Sequence, residues 1–491
     1  MTYLLGVDIG TFEGKAVLAT PDGAVVAEAV RAHRMDVPRP GWAEHDAETV
    51  WWDGFAALSR EVLAGLDAAE VAAVAVSGIG PCVLPVDKGG DPLAPAILYG
   101  VDARAGAEIA ELTERFGADA MLEASGNVLT SQSVGPKVLW LRRNRPELWA
   151  EVTAIETCTT FLVRRLTGER VLDHHSAGQW TPLYDARAQA WSDSMCDGIV
   201  DPAMLPRLIW TTEIAGHVTA AAARATGLAE GTPVTAGTID AAAEAVSVGT
   251  RDAGDMMVMY GSSMFMIQVT SARLLDASLW SAPWLWPGTW CAMAGQGTSG
   301  TLTRWFRDVF ARELGDDAFA VLTAEARAVP PGALGLLCLP YFSGERTPIQ
   351  DPDARGAFFG LDLTHDRGAM FRAVCEGVAM GTAHVVETFR AGGADPGRVL
   401  AVGGGVKNDV WLQATSDLSG VTQHLCRRTT GAALGDAFLA GVAVGACVPG
   451  DISAWNPVER LVEPVAQDAY ARAYPLWRDL YETTKAIAHA L

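Results

Sequence analysis

The chain lacks any Cys-x-x-Cys pair, and none of its eight cysteines has a histidine at metal-ligand spacing, which excludes a zinc ribbon and a thiol–disulfide redox motif. Cys82, Cys158, Cys196, Cys291, Cys338, Cys375, Cys426 and Cys447 read instead as small core residues of a reducing compartment. No apolar stretch approaches the roughly 18 residues that a membrane span needs, and the amino terminus runs into a strand with no basic segment ahead of it. A cytoplasmic protein without a membrane partner is therefore expected. Positive charge is also short: 37 Lys and Arg against 58 Asp and Glu give a formal net charge of −21. That balance argues against nucleic acid as a partner and means that any phosphate site must be built locally. What the chain does have is length, 491 residues at 49% hydrophobic and 19% charged, enough for two large domains.

The opening run Leu4-Leu5-Gly6-Val7-Asp8-Ile9 reads as a buried strand, Gly10, Thr11 and Gly14 as a tight turn, and Ala16-Val17-Leu18-Ala19 as the returning strand. A glycine turn lets backbone N–H groups approach an oxyanion, and Thr11 and Lys15 can donate to it. Asp8 would repel phosphate unless a divalent cation stood between them, so the chemistry implied is nucleotide phosphate with Mg2+. The spacing from Gly10 to Lys15 is not that of a P-loop, because Ala16 follows the lysine and a strand rather than a helix comes next. A plain hairpin with Asp8 capping its turn is the bland alternative.

The strand Val71 to Ser77 ends in Gly78-Ile79-Gly80-Pro81, at the carboxyl end where open α/β sheets hold ligands. Asp102 and Arg104 follow in the next loop, either as a sugar-contacting pair or as a local ion pair. Residues 105 to 167 have a helical pattern, with Pro136 opening one helix. His174 and His175 are adjacent rather than four apart, which speaks against a metal role. A further strand from Pro233 reaches Asp240 just ahead of an alanine-rich helix. Asp240 is either an N-cap or a general base for a hydroxyl attacking a phosphoryl group. Met256 to Tyr260, Gly261-Ser262-Ser263 and Met264 to Ile267 then repeat the opening design, which suggests a duplicated architecture with a cleft between the halves and a boundary near Gly249 to Gly254. Gly295 to Gly300 matches a dinucleotide fingerprint literally, but Asp316 follows a helix and opens another, so no second strand exists for it to cap. Gly403 to Asn408 and Gly431 to Ala437 add two glycine-led helix starts.

These residues resemble the FGGY carbohydrate kinases, and most closely the xylulokinase branch. The resemblance rests on Asp8-Ile9-Gly10-Thr11, on Pro136-Lys137 with Trp140, on Leu339 to Pro348, and on Gly356 to Leu361 with Arg372 to Gly377. It implies an α/β fold of two actin-like (ribonuclease H-like) ATPase domains with a cleft between them. Residues 1–250 would be the N-terminal domain with the sugar site, first phosphate loop and base, and 251–491 the nucleotide-binding C-terminal domain. It further implies Asp240 as catalytic base and substrate contact, Asp8 beside Mg2+, and Thr11 and Lys15 in the first phosphate loop. Ser262 falls in the second phosphate loop, Gly300, Gly404 and Asn408 at the nucleotide, and Gly78, Ile79, Gly80, Asp102 and Arg104 on the sugar side. The expected activity is ATP-dependent phosphorylation of a pentulose hydroxyl, D-xylulose first. Another ketose or a polyol (ribulose, erythritol, threitol) and a catalytically silent sugar-sensing protein are the alternatives. Expected partners are ATP and a small sugar or polyol, and a homodimer is allowed. The chain departs from the branch at Ile79-Gly80-Pro81, where a Gln-Met-His run is usual, so the identity of the sugar is less determined than the reaction.

Overall fold

A computed structural model of the chain describes residues 2–429 and 431–491. The opening apolar run forms the strand Tyr3–Ile9, buried along its whole length, because helices cover both faces of the sheet it belongs to. Its alternate side chains serve two different cores. Leu5, Val7 and Ile9 pack with Trp51, Phe55 and Leu58, while Leu4, on the opposite face, joins Leu434, Ala437 and Phe438.

That strand is central in a seven-stranded sheet. Glu13–Ala19 pairs antiparallel on one side and carries Val25–Ala32 beyond it. On the other side Val71–Gly78 and then Pro233–Thr235 run parallel. A second seven-stranded sheet repeats the order and the directions. Asp255–Tyr260 is its first strand, paired antiparallel with Met264–Thr270, which in turn pairs antiparallel with Trp290–Gln296, while on the other side Arg398–Val402 and then Gln423–Cys426 run parallel. The duplication expected from the two glycine hairpins is therefore one of whole sheets. Helices Arg367–Ala391 and Asp409–Ser419 cover the second sheet with Phe371, Val374, Val378 and Trp411. The helix Ala432–Ala443 lies in sequence between Gln423–Cys426 and Val458–Val462, both strands of the second sheet, yet it packs on Tyr3–Ile9 and Val71–Gly78 of the first.

A π-helical segment, Ala47–Trp52, leads into the helix Asp53–Val62, and Asp46 caps it by accepting from the Thr49 amide at 2.8 Å. Two elements differ from the sequence reading. Pro136 is the third residue of the helix Val134–Asn144 rather than its first, still within the turn whose N–H groups have no helical acceptor. The helical stretch before Thr167 is interrupted by the strand Ala154–Glu156. All eight cysteines are buried and unpaired, and no helix among the described residues is long and apolar enough to cross a membrane.

Candidate active site

Asp8 sits near the end of the opening strand, in register with Lys15 on one neighbour and with Ser77 on the other. The Ser77 hydroxyl lies 3.1 Å from Asp8 Oδ1 and 2.6 Å from Asp436 Oδ2, and Asp436 comes from the helix Ala432–Ala443 that crosses this face. Lys15 extends to Glu13 at 2.7 Å. Burial pushes Asp8 well above the ordinary carboxylate range, and the negative charges of Asp240 and Glu244 add to the effect. Asp436 is raised in the same way, by burial first and by Asp8 next, and its Oδ1 is buried without a hydrogen-bond partner.

Asp240 is the first residue of the helix Asp240–Ser247, directly after the short strand Thr238–Ile239. The N-cap position belongs to Ile239, so Asp240 is not the cap. Its Oδ1 accepts from the adjacent Ala241 amide at 2.7 Å. Burial, reinforced by Glu244 and opposed by that amide, pushes the carboxyl up to about 7. Glu244, one turn further along, accepts from the Gly431 amide at 3.0 Å.

Asp8 and Asp436 thus meet at Ser77, and Asp240, Glu244 and Lys15 act on Asp8 through their charges. Charge of that density in a buried place suits a cation, and the orphaned Asp436 oxygen is a ready acceptor. Among the described residues no three His, Cys, Asp or Glu side chains converge closely enough to hold an ion by themselves. This donor set fits Mg2+, which keeps waters and takes phosphate oxygens alongside one or two carboxylates.

The second hairpin separates two cavities. Met259 and Ser263 face the smaller one, about 150 Å³, with Thr11, Ile79, Gly80 and Asp240 opposite. Ser262, between them in sequence, faces the larger one, about 740 Å³, together with Gly300, Gly404 and Asn408. The larger volume is of the size that holds a nucleotide. Gly300 is required where it stands: a Cβ there would meet the Gly261 carbonyl at 2.4 Å, and its amide donates to that carbonyl at 3.0 Å. Asn408 caps the helix Asp409–Ser419 through its Oδ1, 3.1 Å from the Trp411 amide. Its side-chain oxygen is therefore already engaged.

Asp102 and Arg104 line neither cavity. Asp102 is fully buried, accepts from the Ala43 amide at 2.7 Å and binds the Arg104 guanidinium with both oxygens, Nη2 to Oδ2 at 2.7 Å. Arg104 also reaches Glu44 at 2.8 Å and lies 3.9 Å over the Trp42 ring. The pair is a buried ion pair that ties two loops together. Lys137 completes that tie by donating to the carbonyls of Leu98 at 2.6 Å and Tyr99 at 2.8 Å. Gly78 is also absent from the cavity walls: a Cβ there would meet Cys158 Sγ at 2.6 Å, so it serves close packing. Asp8 and Lys15 lie behind the walls, beneath the first turn.

Sequence reasoning missed several residues that the fold brings in. Gln132, His175, Gln179 and Arg346 face the smaller cavity; Gln132 and Gln179 lie in segments whose local pattern gave no sign of a ligand, His175 was weighed only as a metal ligand, and Arg346 lies in the Leu339 to Pro348 run without having been singled out. Arg304 and Lys407 line the larger cavity and make no ion pair among the described residues. Lys407 stands within the Gly403 to Asn408 run, where its charge beside glycines was a usable signal.

Comparison with known proteins agrees with this geometry. The chain matches the N-terminal domain of the FGGY family of carbohydrate kinases over residues 3–247 and the C-terminal domain over residues 256–444. It is 31% identical over 471 residues to a xylulose kinase of Escherichia coli, covering 94% of this chain and 92% of that one. An autoinducer-2 kinase of Enterobacter is 30% identical over 469 residues, 91% of this chain and 87% of the relative. The crystal structure of a xylulose kinase from Rhodospirillum rubrum superposes with a TM-score of 0.92 at 32% identity, over 99% of this chain and 100% of that one. Two matched domains and relatives of 30% identity or more along nearly the whole length lead to one conclusion: the chain belongs to the FGGY family of carbohydrate kinases, which are ATP-dependent sugar kinases.

Proposed function

We propose that this chain transfers the γ-phosphoryl group of ATP to a hydroxyl of a pentulose, D-xylulose being the first candidate, with Asp240 as the base. The observation that carries this is the position of Asp240, in the wall of the smaller cavity and across the second hairpin from a cavity of nucleotide size. The acceptor oxygen forms its bond to the γ-phosphorus as its proton passes to the Asp240 carboxylate and the bridging oxygen leaves with ADP. A carboxyl raised to about 7 is well matched to that work near neutral pH. Thr11 and Ser262 donate to phosphate oxygens from the two hairpins. Mg2+, held by Asp8 with the support of Asp436, would neutralise phosphate charge in the transition state.

A second reading, a different ketose or polyol, has its own support. The loop at Ile79-Gly80-Pro81 presents no polar side chain, and Phe265, Ile267, Trp280 and Met293 make the facing wall apolar. Polar contacts come instead from Gln132, His175 and Gln179. The named relatives themselves include a xylulose kinase and an autoinducer-2 kinase.

The test is ATP-to-ADP turnover with Mg2+ across D-xylulose, L-xylulose, D-ribulose, L-ribulose, erythritol, threitol and glycerol, with Asp240→Asn alongside. D-xylulose should stimulate wild type most, and Asp240→Asn should fold, bind nucleotide and lose roughly 10²–10⁴ in kcat. Stronger stimulation by another acceptor establishes the second reading. Near-normal turnover by a folded Asp240→Asn removes it as the base.

A further inference from the structure

Two histidines grip the backbone of the first turn from behind. His33 Nε2 lies 3.0 Å from the Gly10 carbonyl and His45 Nε2 lies 3.2 Å from the Thr11 carbonyl. Their rings meet edge to face, with centroids 5.3 Å apart. Trp51, fully buried in the π-helical segment, donates its indole N–H to His45 Nδ1 at 3.1 Å.

The protons can be assigned by elimination. An indole N–H can only donate, so His45 Nδ1 is the bare acceptor and the ring proton sits on Nε2. A carbonyl can only accept, so Nε2 of each histidine is the donor to the turn. Both rings are neutral near pH 7, since burial pulls His45 down to about 4 and lowers His33 as well.

Holding these two carbonyls fixes two amides. The peptide bonds concerned are trans, and in a trans peptide the N–H points away from the C=O. Fixing the carbonyls of Gly10 and Thr11 therefore turns the N–H groups of Thr11 and Phe12 toward the opposite side. Among the described residues neither amide meets an acceptor, whereas the Gly10 amide is taken by the Glu13 carbonyl at 3.0 Å. Thr11 itself lies in the wall of the smaller cavity.

We infer that His33, His45 and Trp51 are positioning residues that preset the Thr11 and Phe12 amides as an anion seat for the terminal phosphate of ATP. This rests on the reading of the first hairpin as a phosphate loop. The histidines never touch the ligand and act through the two peptide planes. Trp51 sets the tautomer, and because it is packed in the core of the first sheet, the seat is rigid before nucleotide arrives.

The test compares binding of the β,γ-imido analogue of ATP with binding of AMP, by calorimetry with Mg2+, in wild type and variants whose melting shows them folded. His45→Leu cannot donate and should weaken the imido analogue about tenfold or more, the scale of losing one preorganised donor, while leaving AMP within about twofold. His45→Gln offers an amide N–H at the same reach and should restore most of the loss. Trp51→Phe keeps the bulk but frees the tautomer, and should weaken the analogue severalfold should His45→Leu fail to fold. An unchanged analogue affinity in folded His45→Leu, or in folded Trp51→Phe where that variant replaces it, overturns the inference, as does a folded His45→Gln no better than His45→Leu. If wild type binds the analogue no more tightly than AMP, the phosphate-loop reading falls with it.

Discussion

At the scale of single residues, the site is defined by carboxylates that the fold holds above their ordinary range. Asp8, Asp240, Glu244 and Asp436 are all raised, with burial the first cause in each. In the unfolded chain such groups lose their protons near pH 4. Between that point and the folded value the native state holds more protons than the unfolded one, so stability falls as pH rises. Buried neutral histidines such as His45 work the other way, but only below about pH 6.5, where the unfolded chain takes up protons and the folded ring does not. From pH 6.5 through about 7, Asp240, whose carboxyl is pushed up to about 7, contributes up to about 1.4 kcal/mol per pH unit while it still holds its proton, and the other raised carboxylates act in the same direction. We expect the melting temperature of the metal-free, nucleotide-free protein to fall across that window. Asp436→Asn, isosteric and able to keep its contact with Ser77, should flatten the fall and reduce the stabilisation that Mg2+ brings with ATP. A slope identical to wild type would remove Asp436 from the group. Asp8 and Asp240 were legible in the sequence because Asp8 lies just before a glycine turn at the end of a strand and Asp240 stands between a strand and an alanine-rich helix. Asp436 and Glu244 were not, since each sits in an alanine-rich helix and gains its meaning only from what that helix crosses.

At the scale of elements, the geometry depends on close approach between the helix Ala432–Ala443 and its neighbours. A Cβ on Gly435 would meet the Ala243 carbonyl at 2.0 Å, and one on Gly6 would meet the Ala433 carbonyl at 2.0 Å. Helix propensity alone predicts that Gly435→Ala gains about 1 kcal/mol. The backbone contact opposes it, and forcing a methyl into a packed interface costs about 1–3 kcal/mol. Ala243 shares its helix with Asp240, so relief of the clash displaces the base. Gly435→Ala should therefore lower the melting temperature and reduce kcat by about tenfold or more, on the same argument that a misplacement of about 1 Å is costly. A stabilised variant with full activity would show that the two helices have room. The hairpins were legible because strand, glycine turn and strand follow one another in sequence. The π-helical segment Ala47–Trp52 was not, since the same apolar spacing serves an α-helix, and the partners of the loop pair Asp102 and Arg104, Ala43 and Trp42, are brought beside it only by the fold.

At the scale of the whole molecule, the order of the sequence and the distribution of packing differ. The two sheets were legible as a repeat, because each opens with a strand, a glycine turn and a returning strand. The first sheet nevertheless relies on a late helix: Leu4, Ala73 and Ala75 are buried against Leu434, Ala437 and Phe438. Such a contact, more than 350 residues apart along the chain, leaves no local pattern to read, because Ala and Leu at those positions suit any helix core. A fragment of residues 1–250 would carry that apolar face uncovered, a patch of the kind that drives aggregation. We expect it to precipitate or to bind hydrophobic dyes without a cooperative melt, and co-expression with residues 251–491 to yield a soluble pair. Turnover should appear only in the pair, since Asp240 comes from one piece and the hairpin at Ser262 from the other. A soluble, cooperatively melting 1–250 fragment would mean that the late helix only rests on the first sheet. Its loss would then leave the first sheet folded but take Asp436 away from Ser77, so Mg2+ dependence would separate the two roles of that helix, covering the core and supplying the fourth carboxylate.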